Sequence, residues 1–357
     1  MIKLLLPIAA GAFLLTWICV GIVRSVAFRL RLLDHPNERS SHSRVTPRGG
    51  GIGFVITLLF GVLVSWRTYG DHLVSGFSIS IFVAFATSVA LISLWDDFRS
   101  LSVLIRLGVQ LSAAIGVVLV FGSDFFVKMS ETPWLAGTWA VFVLIWMVGL
   151  TNCFNFMDGI DGIAALQGAV TGGTWAVMGV TMGAPSVSIL GTLLGGGSLG
   201  FLCYNWTPAS IFMGDVGSAF LGFCFGVLPL IAAHETSFAT RYFPQLPIFA
   251  VLIVWPFVAD SLFAFGRRLL KGEKVWTPHR THFYQRLVQA GCSHIEVTAY
   301  YGAWSVACSA VGLFFWRNGL GRPAFISSIL FVVVTWALVR NFESRTSRAC
   351  TDATSPN

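Results

Sequence analysis

Long apolar runs separated by short polar stretches organise the whole chain. They fall at residues 4–23, 50–66, 76–95, 103–122, 139–157, 162–183, 186–204, 217–233, 247–266, 297–316 and 323–340. A helix needs about 20 apolar residues to cross a hydrocarbon core. The pattern therefore predicts an all-α fold, a polytopic membrane bundle of about eleven transmembrane helices. The sixth and seventh runs divide least sharply, because Gly172, Gly173, Gly183, Gly195, Gly196 and Gly197 crowd there, with Pro185 as the expected turn. Small residues at this density point to close helix packing in lipid and not to a phosphate loop. The first run lacks a small-residue cleavage site and is read as a retained span. Residues 1–340 form one integral membrane domain in this reading, and 341–357 a polar tail expected to be disordered. No internal repeat stands out.

Composition agrees with the pattern. Hydrophobic residues make up 55% of the 357 and charged residues 11%, against roughly 25% charged in soluble domains; the mean hydropathy is +0.76. The net charge of +7 is explained by basic loops facing an anionic leaflet and not by nucleic acid, for which no basic-aromatic surface is present. Of the 23 Lys and Arg residues, 17 fall in the stretches after the first, third and ninth runs and in the tail. That asymmetry predicts a periplasmic N-terminus and a cytoplasmic C-terminus. It also brings the loops at 24–49, 96–103, 158–161, 205–216 and 267–296 to one face. The seven cysteines show no CxxC pair or zinc spacing and read as small buried hydrophobes.

The polar residues of those loops form five clusters. Asp96 and Asp97 end the third run; adjacent carboxylates repel unless a cation or proton intervenes. Asn152, Asn155, Asp158 and Asp161 are spaced three apart in NCFNFMDGIDG, which in a helix places them on one face. Asn205, Phe212 and Asp215 lie in NWTPASIFMGDVGS, with glycines beside Asp215. His279, Arg280, His282 and Arg286 supply basic groups in the last large loop, and Arg39, His42 and Arg48 precede three glycines. Each cluster also has a plain structural explanation: a solvated helix end, a polar helix contact, a positive loop or the start of a span. Taken together they describe an acidic, cation-binding centre with basic flanks, suited to phosphoryl transfer next to lipid. A sugar or a uridine does not follow from the residues alone.

The strings PNERSSH, TPRGGG, WDDF, NCFNFMDGIDGI, NWTPASIFMGDVGS, the step from Pro256 to Asp260 and HRTHFYQRL resemble, in order, the polyprenyl-phosphate N-acetylhexosamine-1-phosphate transferases. RSSH and PRGGG look most like the O-antigen-initiating branch. The resemblance implies a bacterial inner-membrane enzyme with a cytoplasmic-face cleft. Its substrates would be a UDP-N-acetyl sugar and a polyprenyl phosphate such as undecaprenyl phosphate; its cofactor would be Mg²⁺, with Mn²⁺ as a substitute. A homodimer is compatible with it. Asp215 and Asn155 would hold the metal. Asp96, Asp97, Asp158, Asp161 and His282 would form the catalytic set. Arg48, Asn152, Asn205, Phe212, His279 and Arg280 would bind substrate, with Asn205, Phe212 and Asp161 at the uracil. Tyr284 and Gln285 stand where many relatives carry histidines. The alternative from another class is a transporter of a phosphorylated or anionic substrate, which would place charges near the bilayer midplane in repeated halves. A CDP-alcohol phosphotransferase is disfavoured because DGIDGIAALQG lacks the Ala-Arg step of that family.

Overall fold

The computed structural model describes residues 2–29, 32–36, 44–129, 133–236, 245–274 and 280–354. Thirteen α-helices make up almost all of it: α1 (Ile2–Ala27), α2 (Gly50–Tyr69), α3 (Gly76–Phe98), α4 (Val103–Met129), α5 (Pro133–Met157), α6 (Ile163–Met182), α7 (Pro185–Asn205), α8 (Asp215–Glu235), α9 (Gln245–Leu252), α10 (Trp255–Leu270), α11 (Phe283–Gln289), α12 (His294–Phe315) and α13 (Gly321–Thr354). Two short antiparallel strands, β1 (Leu33–Asp34) and β2 (Thr46–Pro47), close the first large loop. Ten of the helices are long and apolar enough to cross a membrane, and α9 with α10 forms a bent pair that brings the count to eleven. The protein is a multi-pass membrane protein.

Helix α8 is the axis. Every residue from Val216 to Ala233 is buried, and α2, α3, α4, α5, α6 and α7 all pack on it. Leu14, Leu104, Leu119, Ile145 and Phe325 on the surrounding helices are exposed, as lipid-facing positions are. The expected division of the sixth and seventh runs is present. Gly183, in the left-handed region at φ 69°, ends α6, and Pro185 opens α7. The Ala184 N–H reaches back to the Gly179 carbonyl at 2.8 Å, which closes the α6 terminus as a Schellman turn. The two backbones then lie in direct contact: a Cβ on Gly172 would sit 2.4 Å from the Gly195 nitrogen.

Two features add detail to the sequence reading. The ninth run is not one straight helix but breaks between α9 and α10 with a bend of 79°. Pro256 in the first turn of α10 has no N–H to continue the ladder. The Phe257 N–H goes to the Val254 carbonyl at 3.1 Å and leaves that of Ile253, which the Gln167 side-chain amide takes at 3.0 Å, and Ser305 Oγ donates to Gln167 Oε1. The boundary placed at residue 340 falls inside α13, which continues to Thr354. Its Glu343 takes both guanidinium donors of Arg286 at 2.9 Å, so this stretch of the polar tail packs as helix.

Substituting Gly172 by Val should force α6 from α7, with a cost on the order of 1–3 kcal/mol read as a lower thermal midpoint in detergent. Gly173→Ala, where an added Cβ meets nothing within 4 Å, should leave the midpoint equal or raised. Equal effects at the two positions would refute direct backbone packing as the reason for the glycines.

Candidate active site

The predicted loops do gather at one end of the bundle, around a cavity of about 270 Å³. Asp34, Arg48, Asp97, Asn155, Asp158, Asp161, Asn205, Phe212 and Asp215 all line it, as do Ser218, Gln285 and His294. The β1–β2 ribbon brings Asp34 and Arg48 to its edge, and the Phe212 N–H donates to the Pro47 carbonyl at 2.8 Å. The N–H groups of Gly50 and Gly51 donate to the carbonyls of Phe212 and Met213 at 2.9 and 2.8 Å. The amides at the start of α2 therefore hold the neighbouring loop, and the glycine run is a docking surface for backbone.

The adjacent acids part company. Asp97 is buried, and its carboxylate accepts the N–H groups of Asp215 and Val216 at 3.2 Å each. It thus caps α8 from another helix, where a negative charge also meets the positive end of the helix dipole. Gly214, the residue before α8, has φ 74°, and a Cβ there would lie 2.9 Å from Asp97 Oδ2; both facts demand glycine. The Arg48 guanidinium donates to the Asp97 backbone carbonyl. Asp96 turns away from the cavity. It accepts from the Leu101 N–H at 2.6 Å and pairs with Arg106 at 2.7 Å. The two carboxylates need no shared cation, because each has its own donors.

The expected stripe on α5 is divided as well. The helix ends at Met157, so only Asn152 and Asn155 are helical. Asn152 donates to Gln110 of α4 at 2.6 Å and lies outside the cavity. Asn155 faces α8, hydrogen-bonding Ser218 at 3.4 Å and the Asp215 carboxylate. Asp158 and Asp161 follow in the turn. Burial, then the charges of Asp215, Asp97 and Asp161, push the Asp158 carboxyl well above the ordinary carboxylate range. Burial works the same way on Asp161, but hydrogen bonds from His294 and the Ala209 N–H outweigh it and hold that carboxyl below its usual value. The Ala209 contact is 3.0 Å and the His294 contact 3.4 Å.

Asn205 is buried, and its amide is spent on backbone: Oδ1 accepts the Gly162 N–H and Nδ2 donates to the Ile211 carbonyl, both at 3.0 Å. It shapes the wall behind Phe212. His279 lies outside the described residues. Arg280 is half-buried ahead of α11 and does not line the cavity. His282 is buried and faces a second, apolar hollow of about 420 Å³ between α5 and α10, which Asn152 and Phe156 also line.

Four participants carried no functional reading in the sequence. Arg106 of α4 joins Asp96 to Asp215, its Nη1 3.9 Å from Asp215 Oδ2. Asp34, Ser218 and His294 reach the cavity from separate elements; Ser218 closes the NWTPASIFMGDVGS string without a role read for it, and no local motif marks Asp34 or His294. Among the described residues, no three His, Cys, Asp or Glu side chains close on a point as a self-sufficient metal site. Mg²⁺ commonly takes one or two carboxylates and completes its shell with water and substrate phosphate. Asp215 beside Asn155 suits that mode; burial first and then repulsion from neighbouring carboxylates raise Asp158, and the repulsion is what a divalent cation relieves. The Nε atoms of Arg48 and Arg106 are buried without a hydrogen-bond partner among the described residues; of the two, Arg48 lines the cavity, where a guanidinium is suited to a phosphate oxygen.

Residues 79–233, which contain most of this geometry, match the model of glycosyl transferase family 4. The chain is 31% identical over 283 residues to a probable undecaprenyl-phosphate N-acetylglucosaminyl 1-phosphate transferase of Bacillus subtilis, covering 78% of this chain and 75% of that one. The chain belongs to this family. It comprises polyprenyl-phosphate sugar-1-phosphate transferases, as the resemblance in the motifs implies. Other relatives are the decaprenyl-phosphate N-acetylglucosaminephosphotransferase of Mycobacterium tuberculosis, 29% identical with 82% and 78% of the two chains covered, and the undecaprenyl-phosphate alpha-N-acetylglucosaminyl 1-phosphate transferase of Escherichia coli, 29% identical with 78% and 75% covered.

Replacing Asn205 by Ala orphans two buried backbone groups, at about 1–3 kcal/mol for each. The variant should melt earlier in detergent and show faster amide exchange across 205–214. Wild-type exchange in that loop would mean the two hydrogen bonds do not hold it.

Proposed function

We propose that the protein transfers an N-acetylhexosamine-1-phosphate from a UDP-sugar to a polyprenyl phosphate, undecaprenyl phosphate in a bacterial inner membrane, and releases UMP. A phosphate oxygen of the lipid bonds to the β-phosphorus of the donor. The bond from that phosphorus to the bridging oxygen breaks, and UMP leaves with its electron pair. The product begins a cell-surface polysaccharide of the O-antigen type. The names of the relatives support the acceptor and the sugar class, and the motifs support the branch.

The observation that carries this reading is the meeting of two unlike spaces. The polar cavity and the apolar hollow lie on two sides of the last turn of α5: Asn155 and Gly159 line one, Asn152 and Phe156 the other. The hollow runs into a further apolar space of about 610 Å³ at the α9–α10 bend, sharing Phe142, Val251 and Trp255 with it. A polyprenyl chain suits that furrow, and a nucleotide diphosphate suits the cavity. A transporter would not require an apolar furrow opening beside the acidic centre.

In this proposal Asp215 and Asn155 hold Mg²⁺, which when bound neutralises charge on the diphosphate. Arg48 faces the same diphosphate. Phe212 stacks on the uracil, with Asp161 and Asn205 keeping its pocket in shape. Asp97 and Asp158 lie at the reacting phosphates, while Asp96 acts from behind through Arg106.

The test is UMP release from purified protein with undecaprenyl phosphate, Mg²⁺ and a panel of UDP-N-acetyl sugars, with EDTA and lipid-free controls. Release should require lipid and metal, and the panel names the sugar. Asp215→Asn should insert normally yet lose more than about 100-fold in rate. Turnover by that variant would overturn the metal assignment, and uptake into liposomes without chemical change would favour the transporter.

A further inference from the structure

Asp260 lies on α10, outside every acidic cluster of the cavity, and is completely buried. A buried carboxylate needs several donors, and this one has four. It accepts the Phe283 N–H at 2.7 Å, the Tyr284 N–H at 3.2 Å and the Tyr301 hydroxyl at 2.6 Å, and His282 Nδ1 lies 3.2 Å from Oδ1. Two of these donors are the first amides of α11, so Asp260 ties α10, α11 and α12 together. The α11 start stands between the two spaces of the site: His282 lines the apolar hollow and Gln285 lines the polar cavity.

Chemistry determines the state of His282. An ionised carboxylate only accepts, so the ring nitrogen beside it must carry a proton. In a neutral imidazole that makes the other nitrogen, Nε2, an acceptor. The Gln285 amide also approaches the ring as part of a capping box; a neutral N–H would ask for a bare nitrogen and so for the opposite tautomer. The charged carboxylate is the stronger partner. Phe156 packs 6.4 Å from the imidazole and Tyr284 5.7 Å, centroid to centroid, which limits how the ring can turn.

We propose that Asp260 is a positioning residue for the transfer: it fixes His282 with Nδ1–H on the carboxylate and Nε2 toward the head of the lipid furrow, and it clamps α11 as the wall between furrow and cavity. The proposal rests on the reading above that the lipid phosphate arrives at the head of that furrow. Nε2 is then an acceptor for a protonated lipid phosphate, or a donor to it when the ring is charged. Asp260 touches neither substrate and acts through His282.

Two measurements test it. In wild-type protein with ¹⁵N-labelled histidine, the His282 imidazole, identified by its loss in His282→Ala, should show the Nδ1–H tautomer at neutral pH. The Nε2–H tautomer would overturn the proposal, and this readout needs no activity. In the UMP-release assay, D260N should lose about 10- to 100-fold in kcat, with donor KM within about twofold of wild type. The double variant D260N/H282A should lose less than the product of the two single losses, because the part of the Asp260 effect that passes through His282 vanishes with its partner. Losses that multiply, or a full-rate D260N, would refute the role. Absence of UMP release from wild-type protein with every donor would instead count against the proposed reaction and leave the tautomer result standing.

Discussion

A helix that begins or breaks inside a membrane bundle has no water to satisfy its free N–H and C=O groups, so other helices must supply the partners. Nearly every feature of this site follows from that requirement. Asp97 of α3 caps α8. Carbonyls of the 212–213 loop cap α2, Asp260 of α10 caps α11, and Gln167 of α6 takes the carbonyl freed at the α9–α10 break. At the opposite end, Glu235 of α8 accepts the Ser186 N–H at the start of α7 at 3.0 Å. Each cap is a long-range bond, so it positions one helix against another while it satisfies backbone.

The same bonds build the acidic cavity. A carboxylate that caps a neighbouring helix is held firmly and brought beside the other acids, although like charges repel. Asp97 is kept by two amides and a nearby arginine, and Asp161 by an amide and His294. Asp158 makes no side-chain hydrogen bond among the described residues to offset its burial and the charges of Asp215, Asp97 and Asp161, which together raise its proton affinity. An acidic cavity assembled this way stores repulsion that a bound cation relieves, and a multiply charged phosphate can then enter. Arg106 moderates the repulsion from the α4 side by standing between Asp96 and Asp215.

The broken α9–α10 pair links the two ends of the function. Its bend opens apolar space alongside α5 and α13, continuous with the hollow at His282. It also carries Asp260 to the start of α11, where furrow and cavity are separated by a single turn of helix. In the proposed reaction a membrane-bound acceptor and a water-borne donor meet at that turn, and four hydrogen bonds on one buried carboxylate hold it still.

The sequence by itself determined the elements and the chemistry available. Run length sets the number of crossings, because bilayer thickness fixes how many residues a span requires. Gly183 and Pro185 mark the α6–α7 turn through their own backbone preferences. The motif strings carry the family, and loop parity brings the acidic loops to one end. What the tertiary structure decided is which atom each polar side chain serves. Asp96 and Asp97 are neighbours in sequence with unlike partners, Asn152 and Asn155 are one turn apart yet face α4 and α8, and Asn205 spends its amide on two loops. Asp34 and His294 reach the cavity from far along the chain. Local spacing places a residue on a helix face, but only packing fixes which donors and acceptors that face meets, and a buried polar group takes its role from those partners.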